Sequence, residues 1–238
     1  MDFQNIKLTQ PHSSLDIYHS KTDRALPAIV ILPGGSYNQI MERDSERVAL
    51  TFATHVWQTF VVRYPVLEHK NYEQAKIAVA QAFDYITTHA EELDVNTQQL
   101  GIIGFSAGGQ VAAAYSNASA SKAKFAALGY PVIQPTIDER MGVTTENVAN
   151  LVTAQTPPTF MWGSIKDKVT PFVDHLHVYV DALVKHDVPF ELHEFSTGGH
   201  GIALANEYTG IVNNDRVDEH MGKWFPLFLE WFTELHLG

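Results

Sequence analysis

Two kinds of hydrophobic pattern alternate along the chain. Short continuous apolar runs read as strands buried on both faces. They are Ala28–Leu32, Thr59–Tyr64 stopped by Pro65, the run from Leu100 into Gly104, Lys124–Tyr130 closed by Pro131, Pro158–Trp162 and Val188–Phe195. Between them, apolar residues recur at helical steps. Asp44–His55 predicts an amphipathic helix, and Asn71–Ala90 the longest one, with Ala75, Val79, Ala82, Phe83 and Ile86 on one face. A small-residue helix continues from Val111 to about Asn117. Thr170-Pro171 reads as an N-cap with proline in the first helical position, opening a helix to about His186. Met221–Leu237 predicts a C-terminal helix with Trp224, Phe228, Trp231 and Phe232 on its apolar side. At the other end, residues 2–9 and 14–20 read as an antiparallel hairpin on a sheet edge.

Strands alternating with helices call for a mostly parallel sheet of about eight strands, covered by helices on both faces. No linker, composition break or internal repeat divides the chain, so residues 1–238 are expected to form a single domain. Two stretches lack a clear period. Residues 132–156 read as a small lid or a wandering connection, and the run from Gly198 to His220 as a functional or mobile loop.

Composition narrows the classes. The 238 residues are 45% hydrophobic and 18% charged, as in an ordinary folded globule. A net charge of −11 with no basic cluster argues against nucleic acid. The absence of cysteine removes disulfides, thiolate catalysis and Cys-ligated zinc. The N-terminus has no basic region followed by an apolar core, and no uncharged apolar run is long enough to span a bilayer. A cytoplasmic location is the expectation, with no membrane partner and a homo-oligomer left open.

Gly104-Phe105-Ser106-Ala107-Gly108 is where chemistry enters. It is a G-x-S-x-G segment between a strand and a helix, the setting of a nucleophile elbow. Its glycines remove side chains from a tight turn, and the following helix aims free N–H groups at the serine. A serine hydroxyl needs a histidine to take its proton and a carboxylate to orient that histidine. Of the twelve histidines, His175, His177 and His186 fall on one predicted helix and His193 in a strand. His200 instead sits in Gly198-Gly199-His200-Gly201, a loop just after the last strand. For the acid, Asp167 follows the Pro158–Trp162 strand by one loop, with Asp138 and Glu139 as competitors in the irregular segment. Backbone donors for an oxyanion are expected from Ala107 and from Gly35 and Ser36, on the small-residue loop after Leu32. Tyr37 and Tyr130 are expected to wall the pocket. No metal is expected, since His175-Leu176-His177 has the wrong helical spacing and H-E-x-x-H is absent. No other cofactor is expected either.

With these residues identified, the chain resembles an α/β-hydrolase, in the branch of hormone-sensitive-lipase-like and acetyl-xylan-esterase-like bacterial carboxylesterases. The resemblance runs from about Pro27 to Leu235. It rests on Ile31-Leu32-Pro33-Gly34-Gly35-Ser36-Tyr37, on the Gly104–Gly109 elbow and on Tyr130-Pro131-Val132-Ile133. Trp162–Pro171 is similar to the family's acid loop, and Gly198–Gly201 to its histidine loop. The resemblance implies an α/β-hydrolase fold with little or no cap domain. It also implies Ser106 as nucleophile, His200 as base, Asp167 as its orienter, and Gly35, Ser36 and Ala107 as oxyanion donors. The family's H-G-G-G loop stands here as Pro33-Gly34-Gly35-Ser36, without its histidine and third glycine. The strands begin near residue 2, without the large N-terminal cap of lipase-like relatives. The expected substrate is therefore a small-molecule ester with a short, acetyl-sized acyl group, with an acylated sugar as the carbohydrate form. Three alternatives stay open: a serine peptidase of the prolyl-oligopeptidase type, a binding module that has lost its chemistry, and lactone opening.

Overall fold

The computed structural model describes residues 1–210 and 216–237. Eight strands form one sheet in the order β1-β2-β4-β3-β5-β6-β7-β8. The strands are β1 Asp2–Lys7, β2 Ser14–His19, β3 Leu26–Leu32, β4 Gln58–Arg63, β5 Val95–Phe105, β6 Ala126–Gly129, β7 Thr159–Ser164 and β8 Phe190–Phe195. β1 pairs antiparallel with β2 and β2 antiparallel with β4, while every other pair is parallel.

The continuous apolar runs are explained by burial on both faces. Ala28, Val30 and Leu32 of β3 share one core with Leu100 and Ile102 of β5 and Met161 of β7. Over that face lie α2 (Tyr72–Thr88), α3 (Ala107–Ser116) and α5 (Leu176–Lys185). Ile29, Ile31, Ile103, Phe105, Phe160 and Trp162 point to the opposite face, against α1 (Glu46–Thr54) and α6 (Trp224–Glu234). Successive side chains of a strand alternate, so each run feeds both layers. The helical periods are equally legible: Ala75, Val79, Ala82, Phe83 and Ile86 are all buried, and Asn71 caps α2 by accepting from the Gln74 N–H.

One expectation needs correction. Thr170 does not cap a helix that begins at Pro171. Residues 171–175 form a turn, and α5 starts at Leu176. The Thr170 hydroxyl is drawn instead to Tyr130, Asp167 and His200. The irregular 132–156 segment contains a four-residue helix, α4 (Asp138–Met141), and 3-10 turns at Pro135–Ile137 and Val148–Leu151. Of the 198–220 loop, residues 211–215 lie outside the described residues. Among the described residues no helix is long and apolar enough to cross a membrane.

The topology places a crevice. From β3 the chain goes to β4 on one side, then crosses back to β5 on the other. Loops leaving β3 and β5 at their carboxyl ends therefore diverge, and ligands in open α/β sheets bind at such a switch point. Those two loops are Pro33–Gln39 and the Ser106 turn.

Candidate active site

Ser106 is at the tip of that turn, with φ 54° and ψ −120°, a strained conformation for a residue with a side chain. Close packing enforces it. A Cβ on Gly104 would run into the Gly108 carbonyl, and one on Gly108 into the carbonyls of Leu32 and Pro33. Strand, turn and helix α3 can pack this tightly only with glycine at both positions. The Ser106 N–H donates to the Gly129 carbonyl at 3.0 Å, which ties the turn to the end of β6.

Ser106 Oγ lies 2.8 Å from His200 Nε2, and His200 Nδ1 lies 2.7 Å from Asp167 Oδ2. These three residues, far apart in sequence, leave the sheet after β5, β7 and β8. Asp167 is held on all sides. Its Oδ1 accepts from the Val169 and Thr170 amides at 2.8 and 3.0 Å, and its Oδ2 accepts from the Thr170 hydroxyl at 2.9 Å as well as from His200. Burial opposes the charge on Asp167. The hydrogen bond and nearby charge of His200, with the Thr170 and Val169 amides, outweigh it and hold the carboxyl below its usual range. The competitor Asp138 is occupied elsewhere: it accepts from the Thr145 amide at 2.6 Å and the Thr145 hydroxyl at 2.7 Å.

The loop bearing His200 is fixed from below. The Ala203 N–H donates to the Tyr130 hydroxyl at 2.9 Å, and the Ala203 carbonyl accepts from Trp224 Nε1 at 2.9 Å. Trp224 stacks on Trp162 with ring centres 4.0 Å apart, so α6 braces the histidine loop against β7. The remaining buried histidine, His175, is no competitor for the base. Its Nδ1 accepts from the Ile133 N–H at 3.0 Å, and burial lowers its pKa to about 4. His177 and His193 pair with Glu194 and Glu191 on the α5–β8 side.

A cavity of about 370 Å³ opens over Ser106 and His200, lined also by Gly34, Gly35, Ser36, Gln39 and Met41. Gly35 has φ +135° and Ser36 φ 55°, so the loop turns through left-handed backbone at the cavity wall. The Gly34 N–H is already taken, donating to Asp44 Oδ2 at 3.1 Å. Gly35 and Ser36 line the cavity, and Ala107 follows Ser106 as the first residue of α3. Tyr37 and Tyr130 do not wall the cavity as expected. Both are buried, Tyr37 donating to Gln110 Oε1 at 3.0 Å and Tyr130 bound to Ala203, and their rings fill the core beneath the site.

Several site residues had no motif to reveal them. Thr170 contacts both the acid and the histidine. Asp44, buried beneath the Gly34 turn, has its pKa raised by burial despite the nearby Arg43. Arg43, Arg140 and Arg216 also line the cavity. The only sequence sign of Asp44 was its place just before α1.

An open parallel sheet carrying a hydrogen-bonded serine and histidine on its carboxyl-edge loops is the architecture of α/β-hydrolases. The BD-FAE family model matches residues 15–127 of the chain. Among solved structures, a sugar hydrolase (YeeB) of Lactococcus lactis is 30% identical, with a TM-score of 0.91 over 98% of each chain. The carboxylesterase Cest-2923 of Lactobacillus plantarum WCFS1 is 26% identical, with a TM-score of 0.91 over 100% of this chain and 98% of that one. The acetylxylan esterase of Xylanibacter ruminicola is 26% identical over 220 residues, which are 83% of this chain and 45% of that protein. The chain spans under half the length of the curated relatives it matches. It belongs to the α/β-hydrolase family, where its relatives are carboxylesterases and a sugar hydrolase.

Proposed function

We propose that the protein is a serine carboxylesterase that removes short acyl groups, acetyl foremost, from alcohols including carbohydrates. The observation that carries this reading is the hydrogen-bonded line from Ser106 Oγ through His200 to Asp167 at the floor of a cavity. Ser106 Oγ attacks the ester carbonyl carbon while His200 Nε2 takes the hydroxyl proton. The carbonyl oxygen becomes an oxyanion, met by the N–H groups of Ala107, Gly35 and Ser36. Asp167 keeps the His200 proton on Nδ1, leaving Nε2 free to accept, and stabilises the imidazolium that forms. That imidazolium protonates the departing alkoxide as the carbon–oxygen bond breaks, giving an acyl-serine and free alcohol. Water then attacks the acyl carbon, again losing its proton to His200, and the acid leaves as Ser106 is restored.

The preference for short acyl groups is supported by the cavity volume of about 370 Å³ and by the polar Asn38 and Gln39 side chains in its lining, which suit a long alkyl chain poorly. The acetylxylan esterase relative supports a carbohydrate alcohol. We read residues 1–238 as one domain, because the eight strands share one sheet. The test is hydrolysis of p-nitrophenyl esters from acetate to octanoate. Turnover fastest on acetate, falling with chain length and lost in Ser106→Ala, is expected. Retained turnover in a clean Ser106→Ala preparation would refute the assignment of the nucleophile.

A further inference from the structure

The chain has six arginines, and three of them, Arg43, Arg140 and Arg216, line the cavity that holds Ser106 and His200. In a protein of net charge −11 this is a local reversal of sign. Two of the guanidiniums converge on one point. A Cβ on Gly201 would lie 2.8 Å from Nη2 of Arg43 and 3.4 Å from Nη1 of Arg216. Arg216 is locked there by donating to the Gly201 carbonyl at 2.6 Å. Like charges drawn this close repel unless a negative group lies between or beside them.

Among the described residues, carboxylates answer only part of that charge. Asp44 faces the pair from below, its Oδ1 3.5 Å from Arg43 Nε and its Oδ2 engaged by the Gly34 amide. Asp167 is committed to His200, Glu42 to Arg63 and Asp138 to Thr145. Arg140, on α4, is exposed at the rim and has no hydrogen bond or ion pair among the described residues. Among the described residues one buried carboxylate faces three guanidiniums, a positive balance, and a guanidinium fork matches a carboxylate.

The esterase reading, on which this step rests, also says which half of the substrate meets this charge. His200 Nε2 must reach the leaving oxygen to protonate it, so the alcohol lies on the His200–Gly201 side. That is where Arg43 and Arg216 converge. We infer that the preferred substrate is an acyl ester whose alcohol carries a carboxylate, held by Arg216 and Arg43 with Arg140 at the rim. In carbohydrate form this is an acylated acidic sugar.

The experiment compares 4-acetoxybenzoate with 4-acetoxybenzamide, which share acyl group and ring but differ in charge. Acetylated methyl glucuronide against acetylated methyl glucoside repeats the comparison on a sugar. At low ionic strength kcat/KM should favour the carboxylate about tenfold, as for a charge-assisted hydrogen bond, and the ratio should shrink with added salt. The ratio should also fall several-fold in Arg216→Gln and in the exposed Arg140→Gln, which carries little folding risk; thermal melts check that both are folded. Phenyl hemisuccinate against phenyl butyrate places the charge on the acyl side. A preference confined to hemisuccinate overturns the alcohol-side assignment. Turnover of the neutral esters with no preference for either charged alcohol overturns the inference and leaves the esterase reading intact. No turnover of any ester defeats both.

Discussion

Replacing Asp167 by asparagine changes one atom and almost no volume, so it isolates the arrangement of protons around His200. Asp167 accepts four hydrogen bonds, two at each oxygen. The donors at Oδ1 are the Val169 and Thr170 backbone amides, which cannot turn away. The single carbonyl oxygen of asparagine is therefore drawn to that position, and its NH2 group takes the place of Oδ2. There it faces His200 Nδ1 at the 2.7 Å now spanned by the ring's own N–H. Two donors cannot share that contact, so the imidazole shifts its proton to Nε2. Nε2 then presents N–H to Ser106 Oγ, 2.8 Å away, and has no lone pair to receive the serine proton.

The Thr170 hydroxyl can adapt by accepting from the new NH2 group and donating to the Tyr130 carbonyl at 3.2 Å, so the fold should tolerate the change. A wrong tautomer of this kind costs on the order of 10⁴ in kcat, about 5.5 kcal/mol of transition-state stabilisation. The assay is kcat on p-nitrophenyl acetate for the wild type, Asp167→Asn and Asp138→Asn, with thermal melts to confirm folding. Asp138→Asn should fall far less, because its carboxylate binds Thr145 rather than His200. A loss below tenfold in folded Asp167→Asn would show that the tautomer argument is wrong. A four-decade loss in Asp138→Asn instead would move the acid to the α4 segment.

Two further outcomes test the scaffold. Gly108→Ala puts a methyl group into the Leu32 and Pro33 carbonyls, and backbone on both sides cannot yield as a side chain would. It should cost at least the upper part of the usual range of about 1–3 kcal/mol for overpacking, read as a lower denaturation midpoint; an unchanged midpoint contradicts the packing described. His175 gives a pH signature. Burial lowers its pKa from 6.5 to about 4, so the unfolded chain binds the proton more readily. Its contribution is complete above pH 6.5 and is lost as pH falls toward 4, on the order of 2 kcal/mol by pH 4.5. Urea unfolding of wild type and His175→Asn at pH 7 and 4.5 should show that extra loss in the wild type alone. Equal losses in both proteins would remove His175 from the account.

Much of this molecule could be read from its sequence. Runs such as Ala28–Leu32 sit in the middle of a sheet buried on both faces, and the Asn71–Ala90 period became α2 with its polar cap. Thr170-Pro171 has the pattern of a helix cap, but a cap and a hydrogen bond across the site use the same hydroxyl, and local pattern does not say which partner wins. Tyr37 and Tyr130 neighbour site residues in the sequence, but their rings are buried away from the cavity, since chain position says nothing of which way a ring points.

The sequence by itself determined the elements, because hydrophobic period and turn residues act over a few neighbours. It also marked Ser106, because G-x-S-x-G is a local steric requirement. Only the tertiary structure decided that His200 and Asp167, 94 and 61 residues further along the numbering of the chain, meet Ser106 in one hydrogen-bonded line. It alone brought Arg43, Arg140 and Arg216 from three separate segments to one cavity, where their shared charge acquires meaning. Those contacts depend on how strands are ordered in the sheet and how loops leave its carboxyl edge, and no short stretch of sequence carries that information.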